Sequence, residues 1–256
     1  MDEEAATTRV QFLQGLQQAF LSGRVEASIA SAEMSHGNGL RAQLDVLDLW
    51  TNSGEPLGGW KVGMTSGPAR DRMGVGFRPF GYILASRVMK SGTLLELDRI
   101  PGLEIEPELA FLIDKPLQGM VDRKDVMDAI SQAAPAFELQ QIRLEGGVSD
   151  GIVIADDLGN WGIVLGEPAV WAGSVSEISV TLERDGEIVA SEGPGFGIDE
   201  PIDSILSLCH SLAGFGRGLD AGQWIITGAF ARFPVSDAGV WRASFSGIGD
   251  VQVDFS

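Results

Sequence analysis

In the stretch GLEIEPELAF, residues 102–111, Glu104, Glu106 and Glu108 occupy every second position of an otherwise apolar run. Residues two apart on a strand share one face at roughly 6.5–7 Å, so three ionised glutamates there repel one another. Either water screens them on an exposed edge strand, or a cation collects them. Pro107 cannot donate to a ladder and suits an edge or a bulge. Against full exposure stand the bulky Leu103, Ile105, Leu109, Phe111 and Ile113, together with a further lone acid, Glu138, in the apolar run PAFELQQIRL. A carboxylate in such a run is costly unless paired or bound to metal. Hard oxygen donors without imidazole point to Mg2+ or Mn2+, octahedral, with positions left open to a substrate. Such an ion polarises a carbonyl or enolate oxygen and needs no histidine.

Few other groups are available for chemistry. Lys61, in GGWKVGMTS, sits in an apolar, Gly-flanked strand, where its ammonium either contacts an anion, moves a proton or snorkels to the surface. Arg143 carries the same ambiguity. Asp156 and Asp157, in VIADDLGNWG, fit a turn or a cap more readily than a metal. Only two histidines are present, His36 and His210, too few and too far apart in the sequence for a site built on two or three imidazoles, so zinc-protease and carbonic-anhydrase centres are not expected. His210 follows Cys209 in SILSLCHSL, where helix neighbours point roughly 100° apart and make no nucleophile–base pair. The single cysteine excludes an internal disulfide and a Cys-based cluster.

The formal charge of −18 offers no basic stripe for phosphates and would repel an anionic lipid surface, so neither nucleic acid nor membrane is an expected partner. No apolar window approaches the roughly 18 residues of a membrane helix, and MDEEAATTRVQF lacks the features of a signal peptide. The expected location is the cytoplasm.

The elements that must hold these residues follow from periodicity. Val10, Leu13, Leu16, Phe20 and Leu21 predict a helix over 8–22, and GLRAQLDVLDLW predicts a second. From GGWKVGMTS onward, short β-branched or aromatic runs alternate with Gly, Pro and Asp turns. Strands are expected near 59–64, 92–97, 103–113, 136–142, 161–165, 177–183, 187–191, 223–228, 240–246 and 250–255. Asp185-Gly186 signals a hairpin, SFSGIGDVQVDF a second, and helices are expected at 123–132, capped by Asp122, and at 201–213, opened by Pro201. GPGFGID at 193–199 lacks a preceding βαβ rhythm and reads as a turn rather than a dinucleotide fingerprint. The expected class is α+β with one principal core: an N-terminal helical region, 1–57, and a strand-rich body, 58–256, whose sheet is closed or sandwiched and mainly antiparallel.

Taken in order, these motifs resemble the 2-keto-4-pentenoate hydratase family, in the hydratase/decarboxylase branch of the fumarylacetoacetate hydrolase superfamily. GGWKVGMTS is similar to its Gly-x-Lys-x-Gly-x-Thr-Ser segment, IEPELAF to its Val-Glu-Ala-Glu-Ile-Ala-Phe strand, and ADDLGNWGIVLG to its Asp-Asn segment. The tail from LDAGQWIITGAFARF to the end follows the closing pattern, so the likeness spans most of the chain. The resemblance implies a fumarylacetoacetate hydrolase-like mixed sandwich or roll, with Glu106, Glu108 and Glu138 as ligands of Mg2+ or Mn2+ and Lys61 as the active-site lysine. It also implies a 2-hydroxy-2,4-dienoate or 2-oxo-enoate as substrate, a cation set at the developing enolate oxygen, and a homo-oligomer. Arg143 and Asp156 are weaker catalytic candidates, and Glu104 matches no fixed acid of the pattern.

The departures are specific. Where the family commonly shows Glu-Pro-Asp before Phe-Gly, this chain has Phe77, Arg78 and Pro79. Asp-Ser-Arg becomes Gln141, Ile142 and Arg143; Asp-Asn becomes Asp156 and Asp157; and Ser and Thr of the closing motif become Ala229 and Ala231. These losses suit a more apolar substrate tail around Ala229. Alternatively, Arg78 supplies a cation for a second substrate carboxylate, or is a solvated loop arginine. The expected activity is that of a metal-dependent hydratase or decarboxylase. Its rivals are a C–C bond hydrolase of an acylpyruvate and a non-catalytic relative that keeps the pocket. The hydrolases of the superfamily add a Glu–His pair from a lid, and the early histidine here, His36 in EMSHGNG, is expected in a loop.

Overall fold

The computed structural model describes residues 3–171, 175–193 and 197–256. Three helices come first: α1 (Glu3–Ser22), α2 (Ala27–Ala30) and α3 (His36–Asn52). Ser35 caps α3 by accepting from the Asn38 amide at 3.4 Å, and the helix buries Leu40, Leu44, Val46 and Leu47 along one stripe. His36 is thus the first residue of a helix rather than a loop residue.

Strand texture then takes over. The strands are β1 (Leu57–Val62), β2 (Phe80–Leu84), β3 (Val88–Lys90), β4 (Thr93–Leu95) and β5 (Leu103–Ile113), followed by α4 (Arg123–Ala129) and β6 (Ile130–Gln141). After α5 (Asp150–Ala155) come β7 (Asn160–Leu165), β8 (Ala169–Val170), β9 (Val180–Arg184) and β10 (Glu187–Glu192). The chain closes with α6 (Pro201–Ala213), β11 (Trp224–Ile226), β12 (Phe233–Pro234), β13 (Gly239–Phe245) and β14 (Gly249–Phe255). The helix signals act as expected: Asp122 and Asp125 form a reciprocal capping box on α4, and Pro201 occupies the first turn of α6. Asp185 and Gly186 both take positive φ, 53° and 83°, and join β9 to β10 in a tight hairpin. The segment 193–199 lies partly outside the described residues.

Two sheets result. The larger runs β2-β1-β11-β5-β6-β7-β3, with β12 added to β5 and β8 to β6; the smaller runs β10-β9-β13-β14-β4. The architecture is α+β with mixed sheets. The pairings are mainly antiparallel, as expected, and three are parallel: β1 with β11, β3 with β7 and β14 with β4. Strands β13 and β14 of the smaller sheet pack on β6, while α3 packs on α5 and β2, and α6 on α4 and β1. Leu13, Leu16, Phe20, Leu44 and Leu47 from the helices join Phe111, Phe137 and Leu139 from the sheet in one core.

Strand β5 is central, not an edge. It pairs along its length with β6 and, on its other side, with β11 at residues 110–112 and β12 at 104–105. Pro107 falls in the gap between β11 and β12, where no amide is needed, and its carbonyl accepts from Phe230 N at 3.0 Å. The odd residues of β5, from Leu103 to Ile113, point into the main core. The even face carries the carboxylates, and further along it Ala110 joins Ala136, Ile163, Ile226 and Ile83 in a small apolar floor.

Candidate metal and active site

Register brings the acids together. Glu106 on β5 lies opposite Glu138 on β6, with Glu108 two residues on, and one carboxylate oxygen from each lies within 4.8 Å of the others. All three are buried. Lys61 reaches the same place from β1, its side chain 4% exposed and its Nζ 2.5 Å from Glu138 Oε1. Gly81, its partner on β2, makes room: a Cβ there would meet Lys61 Cγ and Asp157 Oδ1, each at 2.9 Å.

Neutral and cationic groups distribute the negative charge. Asn160 Nδ2 donates to Glu138 Oε1 at 3.0 Å, and Gln140 Nε2 donates to Glu106 Oε2 at 3.2 Å and to Glu138 Oε2 at 3.4 Å. The Gly228 amide donates to Glu108 Oε2 at 2.8 Å, and Arg232 Nε donates to Glu106 Oε1. Burial, then the Glu138 charge, pushes the Glu106 carboxyl up to about 7 against the pull of Arg232 and Lys61. Burial also drives Glu108 well up, reinforced by Glu138 and Glu106. Burial pushes Glu138 up too, but Lys61, Asn160 and Gln140 outweigh it and hold this carboxyl below its usual range. The trio therefore cannot carry its full negative charge unaided, and protons or a cation must share it.

Three oxygen donors in a buried cluster fit Mg2+ or Mn2+ and suit neither Zn2+ nor copper. The three carboxylates differ in how far they are committed: Gly228 engages one oxygen of Glu108, Lys61 and Asn160 share Oε1 of Glu138 while its Oε2 takes only the Gln140 amide at 3.4 Å, and both oxygens of Glu106 have donors, Arg232 and Gln140.

The site opens into a cavity of about 700 Å3. Met64, Ile142, Leu144, Val148, Val153 and Phe230 supply apolar wall, Ala229 and Ala231 line it where the family pattern has hydroxyls, and Arg72 stands at its exposed side. A substrate entering this space meets the carboxylates and ammonium among the buried residues and, elsewhere, a wall that mixes these apolar side chains with Arg72, Glu145 and Asp150.

The remaining residues singled out in the sequence sit differently. Arg143 and Asp156 border the cavity but are spent on each other. Arg143 Nε donates to both Asp156 oxygens at 3.0 and 3.2 Å, Nη2 to the Asp156 carbonyl at 2.8 Å, and Nη1 to Asn160 O and Gln141 Oε1. Burial raises Asp156, with Arg143 opposing. Arg78 does not line the cavity. It is held by Asp199 at 2.5 Å and Asp71 at 2.6 Å, which ties the loop 63–79 to residue 199. His36 stacks on Phe77 with ring centroids 4.8 Å apart and lies 3.6 Å from Asp150, so it is surface structure here. His210 is an exposed helix residue bonded to Val121 O.

Three groups escaped sequence reasoning. Gln140 had a signal, since it lies two residues from Glu138 and so shares its face. Asn160 and Arg232 had none, because they reach the site only through the β6–β7 and β5–β12 pairings.

No family model matches the chain. A 2-hydroxyhexa-2,4-dienoate hydratase of Comamonas testosteroni is 28% identical over 254 residues, 95% of this chain and 96% of that protein. A 2-keto-4-pentenoate hydratase of Paraburkholderia phymatum is 27% identical over 236 residues, 90% and 87% of the two chains. Among solved structures, 4-oxalocrotonate decarboxylase of Pseudomonas putida G7, complexed with magnesium and adipate, superposes with a TM-score of 0.86 at 22% identity, covering 98% of both chains. The fold is thereby that of the fumarylacetoacetate hydrolase superfamily. The curated relatives this chain is similar to are 2-keto-4-pentenoate hydratases and related dienoate hydratases, with a 4-oxalocrotonate decarboxylase of a Pseudomonas species, 28% identical over 172 residues, among them.

Proposed function

We propose that this chain is a divalent-metal-dependent lyase, a hydratase or decarboxylase, acting on a 2-hydroxy-2,4-dienoate or 2-oxo-enoate with an apolar tail. One observation carries the reading: Glu106, Glu108 and Glu138 meet on one sheet face, with the Lys61 ammonium 2.5 Å from Glu138, at the closed end of a cavity of about 700 Å3.

When bound, Mg2+ or Mn2+ supplies an electrophile that draws charge onto the substrate's 2-oxygen. The chain's own residues do the rest. Glu106, Glu108 and Glu138 would hold the ion, and Gln140 and Asn160 orient Glu106 and Glu138 for it. Lys61 presents an ammonium at the closed end, where it binds an anionic oxygen or passes a proton to the neighbouring carbon. The apolar wall residues Met64, Leu144, Val153 and Phe230 offer contact to the substrate tail. Arg143 and Asp156 position the wall rather than touch substrate, because every guanidinium nitrogen is already engaged. A homo-oligomer in the cytoplasm is the setting that the family likeness supports; no helix is long and apolar enough to cross a membrane among the described residues.

The test is turnover of a panel of 2-hydroxydienoates and unsaturated 2-oxo acids, with Mg2+, with Mn2+ and with chelator, read by dienol absorbance and product mass. A metal-dependent product that gains water or loses CO2, and is faster for alkyl or aryl tails than for carboxylate tails, is expected. Hydrolytic fragments would replace the lyase by a C–C hydrolase, and metal uptake without any product would make the pocket a binding site only.

A further inference from the structure

The role of Arg232 does not follow from holding a metal. It is a half-exposed cation in the cavity wall that donates from Nε to Glu106 Oε1, while its Nη1 lies 3.3 Å from Glu104 Oε2. Gln140 engages the other oxygen of Glu106, so both oxygens of one ligand candidate already accept from protein donors. Glu104 is less committed. Its Oε2 is buried and within ion-pair range of Arg232, yet makes no aligned hydrogen bond, so it has acceptor capacity to spare. The backbone next to Arg232 is fixed, because β12 pairs Phe233 with Ile105 and Pro234 with Glu104. Moving the guanidinium from Glu106 to Glu104, two residues away on the same face, needs only side-chain rotation.

We infer that Arg232 is a displaceable counter-cation: it neutralises Glu106 while the trio lacks a divalent ion, and transfers to Glu104 when an ion takes Glu106. This rests on the reading of the trio as a metal site. It also gives Glu104 a purpose as the second seat of Arg232, where sequence pattern offered none. Three buried carboxylates are costly without compensation, and Lys61 offsets only part of that charge. A mobile guanidinium fills the gap and sets the affinity at which metal enters.

The experiment is calorimetric titration of Mn2+ into chelator-stripped protein at pH 8.5, for wild type, Arg232→Met, Glu104→Gln and the double variant. Loss of the competitor in Arg232→Met should tighten Mn2+ binding by roughly five- to tenfold, and loss of the second seat in Glu104→Gln should weaken it by about as much. Simple charge effects would give the same signs but would add. Displacement requires that Glu104→Gln have no effect once Arg232 is gone, so the double variant should bind like Arg232→Met. Thermal melts give a second readout: Arg232→Met should lower the Tm of the stripped protein more than that of the Mn2+-loaded protein. Additive affinities, weaker binding by Arg232→Met, or equal Tm losses in both forms would overturn the inference and leave the metal reading standing. A wild type that takes up no Mn2+ would overturn both.

Discussion

In the proposed function Lys61 is the proton-transfer group. Its ammonium lies on Glu138 and 3.5 Å from the Leu158 carbonyl, buried beside the carboxylates yet facing the cavity. Replacement by Met should lower turnover by about 100-fold or more, the usual loss on removing a proton-transfer group, while Mn2+ still binds. Steady-state rates paired with Mn2+ titration check this, and a variant that loses metal along with activity would make Lys61 structural. Asn160 acts one step further out. Asn160→Ala removes a donor that orients Glu138 and should cost about 10–100-fold in metal affinity, measured by the same titration. The ligand candidates were legible because strand alternation puts Glu106 and Glu108 on one face and Glu138 stands alone in an apolar run. Their partners were not, since Asn160 becomes a neighbour of Gln140 only through the β6–β7 register, which local sequence does not encode.

At the scale of elements, the Arg143–Asp156 pair joins the end of β6 to the turn after α5. Both side chains are almost wholly enclosed, at 1% and 4% exposure. Arg143→Met would strand a buried carboxylate and should destabilise the fold by about 3–5 kcal/mol, whereas Arg143→Met with Asp156→Leu should recover most of that loss. Urea denaturation of the single and double variants checks it. A single variant of unchanged stability but raised KM would return Arg143 to the substrate. The same scale shows what periodicity can and cannot reveal. Strand β5, helix α6 and the Asp185-Gly186 hairpin carry local signals that fix them nearly to the residue. Strand β2, FGYIL, is a short apolar run buried throughout, without the alternation that marks a half-exposed strand, and it passed unnoticed. Helix α4 ends at Ala129 and β6 starts at Ile130, although ISQAA has weak strand propensity. Its pairing with β5, from Ile113 to Phe111, decides the conformation.

The whole molecule inherits the electrostatic cost of its site. Glu106, raised to about 7, and Glu108 and Asp157, both raised well above the usual carboxylate range by burial, hold protons in the folded state that they have released in the unfolded chain at neutral pH. The folded state then binds more protons than the unfolded one, so stability of metal-free protein falls as pH rises from the ordinary carboxylate value through 7. Glu138, Asp71, Asp128 and Asp250 are lowered and act in the opposite sense, but below that window. A divalent ion bound at the trio, as proposed, would compete with those protons on Glu106 and Glu108, so its stabilisation should grow with pH. Melting temperatures in chelator should therefore drop between pH 5 and 8. Saturating Mn2+ should flatten the drop and open a gap that widens with pH. Asp157→Asn, which imitates the protonated acid, should reduce the chelator slope and leave the Mn2+ gap intact, since Asp157 bonds to Gln43 and the Tyr82 amide rather than to the trio. A metal gap independent of pH would mean that the ion does not displace protons from buried carboxylates, and would place it elsewhere on the molecule.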